Sequence, residues 1–220
     1  MPDFAQARTN MVDCQIHTDG VILPEVLSVF GTLPRELFLP KELKSIAYND
    51  EDILIDNHRV MMEPSTHARM VQACAPKPTD IALDIGCGTG YSTAILSPLV
   101  STVVAVESDE ELLAQAKRHW AKLDACNIIM HGHDLEQGAP DEAPFDIIIV
   151  NGAVAEVPQS LVAQLSPNGR MVVVLKKSGH TMGDATLVQH VGDGNYVTQS
   201  LFNAAAPYVP EFSPKKEFSF

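Results

Sequence analysis

The sequence predicts an α/β domain built on a doubly wound, mostly parallel β-sheet, preceded by helices and followed by an antiparallel hairpin. From Thr79 onward, short apolar strands alternate with helical segments, the pattern of a parallel sheet. The run PFDIIIV is apolar almost without interruption, as expected for a strand covered on both faces. Near the chain's end, TLVQHV and NYVTQSLF flank Gly192, Asp193 and Gly194, which predicts the hairpin.

We divide this single domain into an N-terminal helical segment (1–78), a core (79–176) and a hairpin with a tail (177–220). In the N-terminal segment, Pro24 and Pro64 each stand at the expected start of a helix. The core is expected to contain, in order, a strand at Ile81–Ile85, a helix at Tyr91–Leu99, a strand at Thr102–Val106, a helix from Asp109, strands at Asn127–Met130 and Pro144–Val150, a helix at Pro158–Leu165 and a strand at Gly169–Leu175.

The composition limits the classes of partner and of site that this chain is expected to have. The formal net charge of -13 disfavours nucleic acid and anionic membranes, so we expect a small ligand or a protein segment instead. The four cysteines are widely spaced and form no CxxC pair, which argues against a zinc site and a disulfide framework. No apolar run reaches the ~20 residues of a membrane span. The N-terminus lacks the pattern of a signal peptide, so we expect a cytoplasmic protein.

The stretch DIGCGTGY, which follows the first core strand, predicts a nucleoside cofactor site. Gly86, Gly88 and Gly90 allow the backbone to turn sharply and lie against a ligand. Glu107 ends the second core strand, where a carboxylate can accept both ribose hydroxyls of an adenosine. An ordinary strand-to-helix turn is the structural alternative for the glycines. Cys87 is expected to be a small loop residue rather than a nucleophile.

The spacing of this stretch favours S-adenosylmethionine (SAM) over a dinucleotide. A dinucleotide loop reads G-x-G-x-x-G and would place a small residue where this chain has the bulky Tyr91. Asp84, two positions before the first glycine, can orient the cationic methionine end of SAM. Asp134 follows the third core strand, where the adenine is expected, and is equally well explained as a loop cap.

Several stretches together resemble the protein-L-isoaspartate O-methyltransferase family. They are ARTNMVDCQIHTDGVILPEVLSVFGTLPRELFLP, AYND, DIGCGTGYSTAIL, VVAVE and APFDIIIVNGAVAEVPQSLVAQLSPNGRMVV. The resemblance covers about residues 7 to 176, and its N-terminal part is more specific than the glycine loop, which many methyltransferases share. It implies a Rossmann-like class I SAM methyltransferase fold.

That family methylates the side-chain-derived α-carboxyl of isoaspartyl residues in damaged proteins and releases S-adenosylhomocysteine. The resemblance therefore implies a protein or peptide substrate. It places Asp84, Gly86 and Gly88 along the methionine and ribose of the cofactor. It also places Glu107 on the ribose and Asp134 at the adenine amino group.

The acceptor side departs from the family pattern. Where the family reads G-x-G-Q-T-I-S-Q-P, this chain reads DNHRVMMEP, so that Met62 stands at the position of the active-site serine and Asp56 and His58 replace two glycines. A thioether cannot donate a hydrogen bond to a carboxylate. The family's threonine-alanine-alanine is replaced by Asn151, Gly152 and Ala153.

Several nearby side chains are candidates to compensate. Arg59 could hold an acidic substrate through two hydrogen bonds, although a solvated arginine is the commoner case. Ser65, or Thr66 beside it, could replace the serine, but the favoured role for both is to cap the helix after Pro64. His58 and His67 could act as a base for a hydroxyl or phenol acceptor, whereas lone histidines are more often structural. The pair Met61–Met62 can also be simple wall packing.

Three functional hypotheses follow. The first is an isoaspartyl carboxyl methyltransferase with a divergent site, and it is favoured because an ionised carboxylate acceptor needs no general base. The second is a methyltransferase that acts on another protein group or a small molecule. The third is a catalytically silent SAM-binding protein. A dehydrogenase ranks last because Tyr91 does not suit its loop.

Overall fold

The computed structural model describes residues 3–56, 59–192 and 195–214. The α-helices of these residues are α1 (Phe4–Met11), α2 (Pro24–Thr32), α3 (Pro64–Ala73), α4 (Tyr91–Leu96), α5 (Glu110–Lys122) and α6 (Gln159–Val162). The strands are β1 (Ile53–Leu54), β2 (Val60–Met61), β3 (Ile81–Ile85), β4 (Thr102–Val106), β5 (Ile128–His131), β6 (Phe145–Val154), β7 (Leu165–Leu175), β8 (Gly183–Gly192) and β9 (Asn195–Ala204). No helix in these ranges is both long and apolar enough to cross a membrane.

The main sheet has seven strands in the order β5-β4-β3-β6-β7-β8-β9. Strands β3 to β7 are parallel, and β8 and β9 add an antiparallel edge. The predicted fold class is therefore confirmed. From β3 the chain adds β4 and β5 on one side, and it then returns to add β6 on the other side of β3. In such sheets ligands bind in the crevice beyond the carboxyl ends of the strands at the point where the winding order changes.

Most predicted elements are present, with differences at their ends. The predicted first helix of the core stops at Leu96 and continues as a 3-10 turn over Ser97–Leu99, which contains Pro98. Strand β6 runs on to Val154, because its pairing with β7 resumes after an irregularity that follows Ile149. The strands of the predicted hairpin pair antiparallel, whereas Asp193 and Gly194 lie outside the described residues.

Two hydrophobic clusters cover the two faces of the sheet. Neighbouring residues of β6 point to opposite faces, so that Ile147 joins one cluster and Ile148 the other. The first cluster includes Phe30 of α2 and Met70 of α3. The N-terminal helices are thus packed onto the sheet and cover the face beside the glycine loop.

The segment after β9 returns to the end of β6. The Ala153 amide donates to the Pro207 carbonyl (2.7 Å), and the Val209 amide donates to the Ala153 carbonyl (2.9 Å). A further bond of 2.9 Å joins the Ala155 amide to the carbonyl of Phe212, in the 3-10 turn Pro210–Phe212. This returning segment, rather than the hairpin itself, reaches the crevice.

Candidate cofactor and acceptor site

The glycine loop leaves β3 at the carboxyl end of the sheet. Gly86, Gly88 and Gly90 have φ of +70°, +55° and +93°, a region that other residues enter only with strain. The Gly86 amide donates to the Val106 carbonyl at the end of β4 (2.9 Å), which ties the loop to the neighbouring strand. The loop therefore lies where the sequence predicts it, between β3 and α4.

Glu107 follows β4 directly, and its carboxylate is buried beneath the loop. The carboxylate accepts hydrogen bonds from the Gly88 amide (2.8 Å) and the Asp109 amide (3.1 Å). The side chain is fully shielded from solvent. Glu107 thus lies at the end of the second core strand, as the sequence predicts, and its ribose-binding role stays a prediction.

Arg59 lies on this carboxylate. Its Nε is 3.1 and 3.0 Å from the two Glu107 oxygens, and its Nη2 is 2.9 Å from Oε1. The same Nη2 donates to Ser108 Oγ (2.9 Å) and to Glu211 Oε1 (3.1 Å). Burial alone would lower the pKa of Arg59, but the hydrogen bonds and charges of Glu107 and Glu211 together outweigh it and raise the pKa. The structure thus places Arg59 against the residue predicted to hold the cofactor.

The space above the glycines is also filled from within the chain. A Cβ built on Gly88 would lie 3.5 Å from Cδ1 of Ile55 and 3.9 Å from Cβ of Arg59. Beside them remains a cavity that offers about 10 Å³ to the centre of a water molecule, which is room for about one water. The residue types suit a nucleoside cofactor, but Arg59 already occupies the Glu107 carboxylate that would receive its ribose.

Asp84 is buried, and its carboxylate accepts hydrogen bonds from three side chains. It accepts from the hydroxyl of Ser92, from Thr93 Oγ1 (2.5 Å) and from Asn151 Nδ2 (2.7 Å). Burial raises the pKa of Asp84, and these three hydrogen bonds act in the opposite direction. Ser92 and Asn151 line the small cavity, so Asp84 orients two of its walls.

Met62 and Ser65 occupy the acceptor side without offering a free donor group. Met62 is buried, lines the cavity and accepts a hydrogen bond at its carbonyl from Arg35 Nη2 (2.6 Å). The Ser65 hydroxyl donates to Glu63 Oε1 (2.7 Å), and α3 has no side-chain cap at its first position. The expectation that Ser65 caps this helix is therefore wrong.

His67 is buried against two aromatic rings. Its ring centroid lies 5.5 Å from that of Phe30 and 5.8 Å from that of Tyr91, both edge-on. Burial, with a smaller contribution from the charge of Arg35, lowers the pKa of His67 to about 3. The ring is therefore neutral at physiological pH. His58 lies outside the described residues.

The remaining predicted residues have other contacts. Asp134 is exposed and accepts a hydrogen bond from the Glu136 amide (2.9 Å), the contact of a loop cap. Burial raises the pKa of the Cys87 thiol well above its ordinary value. Ile55, Ser108 and Glu211 were absent from the sequence predictions, because no local motif marks them. Only the path of the folded chain brings them to the crevice.

Comparisons with known proteins match most of this chain to one family. The family model for protein-L-isoaspartate(D-aspartate) O-methyltransferase (PCMT) matches residues 6–215. A protein-L-isoaspartate O-methyltransferase from Koribacter versatilis is 37% identical over 170 residues, which are 77% of this chain and 77% of the relative. One from Pelotomaculum thermopropionicum is 34% identical over 197 residues, covering 90% of this chain and 85% of the relative.

Solved structures show the same fold. A protein-L-isoaspartate O-methyltransferase is 27% identical with a TM-score of 0.80, over 91% of this chain and 65% of that longer chain. A putative one from Plasmodium falciparum, in complex with S-adenosyl-L-homocysteine, has a TM-score of 0.75 at 19% identity, over 95% of this chain and 99% of that one. The family match spans both the glycine loop and the N-terminal helices. The chain therefore belongs to the protein-L-isoaspartate(D-aspartate) O-methyltransferase family of SAM-dependent enzymes.

Proposed function

We propose that this enzyme methylates the side-chain-derived α-carboxyl group of isoaspartyl residues in proteins or peptides. The observation that carries the proposal is the extent of the family match, residues 6–215. It includes the helices that pack over the glycine loop and the segment around Met62, and not merely the sheet that many methyltransferases share. The bound cofactor would supply a methyl group already activated on a sulfonium.

The state of His67 favours a carboxylate acceptor over a hydroxyl or phenol. A hydroxyl or phenol must lose its proton during transfer and benefits from a base whose pKa lies near the working pH. With a pKa of about 3, His67 is a weak base. A carboxylate with a pKa of ~4 is already ionised at neutral pH and needs only to be aligned with the donor.

Because Met62 has no hydroxyl group, we expect this methyltransferase activity to be slow. On this proposal Met62 stands at the position of the family serine, and Ser65, the nearest hydroxyl in sequence, donates to Glu63. A missing neutral hydrogen bond to the acceptor costs ~1 to 3 kcal/mol. We therefore expect transfer that is slower by roughly one to two decades than with the serine present.

The test is methyl transfer from labelled SAM to an isoaspartyl peptide, with the same peptide carrying normal aspartate as the control substrate. Met62→Ser should raise the rate with the isoaspartyl peptide. Met61→Ser is the matched control, since Met61 is equally buried (3% against 2% exposed) and lines the same cavity. Transfer to neither peptide by the wild type and by Met62→Ser, with cofactor binding demonstrated, would overturn the proposal.

One observation favours a second candidate, a silent SAM-binding protein. Glu107, the expected ribose acid, already pairs with Arg59 inside the chain. A silent protein would bind S-adenosylhomocysteine and transfer no methyl group to any protein fraction of a cell extract. Slow transfer to such a fraction, without isoaspartyl selectivity, would instead indicate another acceptor.

A further inference from the structure

The Arg59–Glu107 pair is a buried contact between charges. The exposed fractions of the two side chains are 3% and 0%. Charge-assisted, two-point contacts of this kind are stronger than hydrogen bonds from neutral hydroxyls. Two ribose hydroxyls that approach Glu107 would therefore replace a stronger partner with a weaker one. The cofactor must also free the space that Arg59 and Ile55 take above Gly86 and Gly88.

A second carboxylate also pairs with Arg59, through the same Nη2 atom. Glu211, in the segment that returns to β6, lies 3.1 Å from Arg59 Nη2 and accepts a hydrogen bond from Ser108 Oγ (2.7 Å). Backbone hydrogen bonds from the Ala153 amide to Pro207 and from the Val209 amide to Ala153 fix this segment against the sheet. Arg59 is thus held between a carboxylate of the core and a carboxylate of the C-terminal segment.

We propose that Arg59 is an internal competitor of the cofactor, and that Glu211 strengthens the competition by holding Arg59 on Glu107. Cofactor binding then requires the Arg59 side chain to leave Glu107. When the competent state is a minor fraction, the apparent dissociation constant rises by the inverse of that fraction. The C-terminal segment thereby controls access to the cofactor site.

The experiment measures binding of S-adenosylhomocysteine by titration calorimetry on the full chain, with no acceptor present. The result is thus independent of the acceptor, and failure of the isoaspartyl assay would leave it untouched. Arg59→Gln removes the charge and introduces the glutamine that the family pattern, as read from the resemblance, implies at this position. We expect this variant to bind about 10- to 100-fold more tightly. This is the change expected if roughly 1 to 10% of the wild-type molecules have Arg59 away from Glu107 and can bind the cofactor.

Three further variants separate the contributions. Arg59→Lys keeps the charge without the two-point contact and should give an intermediate affinity. Glu211→Gln leaves the Arg59–Glu107 pair intact and should tighten binding less than Arg59→Gln. Arg118→Gln is the matched control, because it removes the same charge from an exposed position on α5 and should change nothing.

The coupling between Arg59 and Glu211 can also be tested with a double variant. If Glu211 acts through Arg59, the double variant Arg59→Gln/Glu211→Gln should bind as tightly as Arg59→Gln alone, so that the two effects are not additive. Without ligand, Arg59→Gln should also melt below the wild type, because it leaves Glu107 buried without its partner. Should Arg59→Gln not fold, Glu211→Gln decides on its own. Equal affinity of the wild type and the folded variants, or no binding by any of them, would overturn the proposal.

Discussion

Trp120 of α5 donates a hydrogen bond from Nε1 to the Gly90 carbonyl (2.8 Å), and its ring fills the space that a side chain at position 90 would need. The third glycine of the loop thus permits helix α5 to pack closely. A Cβ there would lie 2.5 Å from Trp120 Nε1 and 2.9 Å from the Ala116 Cβ. The predicted contact of Gly90 with the cofactor remains a proposal beside this structural role.

Gly90→Ala should destabilise the protein by about 2 to 4 kcal/mol. Roughly 1 kcal/mol or more comes from placing alanine at positive φ, and the remainder comes from overpacking against Trp120. Urea unfolding at equilibrium measures the difference. Gly179→Ala is the matched control, since Gly179 has φ of +79° and a Cβ built on it would have no other atom within 4 Å. This variant should lose only the part of the stability that comes from placing alanine at positive φ. Equal losses in the two variants would show that Trp120 yields at little cost.

His67 should make stability depend on pH. Its pKa is about 3 in the folded protein and close to the usual 6.5 in the unfolded chain, so the unfolded chain binds the proton first as pH falls. The stabilisation that comes from keeping His67 neutral in the folded protein is complete above pH ~6.5 and is lost progressively down to pH ~3. Between pH 6.5 and pH 5 we expect the free energy of unfolding to fall by roughly 1 to 2 kcal/mol from this group. His67→Leu should remove that part of the slope, and His180→Leu, at an exposed site, should retain it. Parallel pH profiles of His67→Leu and the wild type would contradict the prediction.

Asp109 caps the start of α5, and this cap should raise the free energy of unfolding by about 1 kcal/mol. Its Oδ1 accepts from the amides of Glu111 (2.8 Å) and Leu112 (2.9 Å) at the start of the helix. Asp109→Ala should lose this stabilisation in urea unfolding, whereas Asp109→Asn should retain most of it, because the amide oxygen can accept the same bonds. A loss of equal size in both variants would point to the charge rather than the cap.

The sequence was sufficient for the sheet, the glycine loop and the position of Glu107, because each has a local signature. Alternation of strands and helices predicts the parallel sheet, and the position of Glu107 at the end of β4 follows from counting along one strand. The resemblance to the family likewise rests on stretches of consecutive residues, and the family match over residues 6–215 confirms it. These features depend on residues that are neighbours in sequence.

The contacts of Arg59 could not be predicted in the same way. Arg59 meets a residue 48 positions away in Glu107 and one 152 positions away in Glu211, and neither separation has a sequence signature. Asp84 likewise finds Asn151 across the sheet, from β3 to β6. Side-chain pairing at the crevice depends on how segments from three parts of the chain meet there.

The guanidinium group held by Glu107 has a consequence for the choice of denaturant. Guanidinium chloride supplies the same planar cation at molar concentration, and a free ion can compete with Arg59 for the buried carboxylate. Unfolding curves in that salt would then combine loosening of the crevice with loss of the whole fold. Urea is uncharged and lacks this affinity, so disagreement between the two denaturants at low concentration would report on the crevice itself.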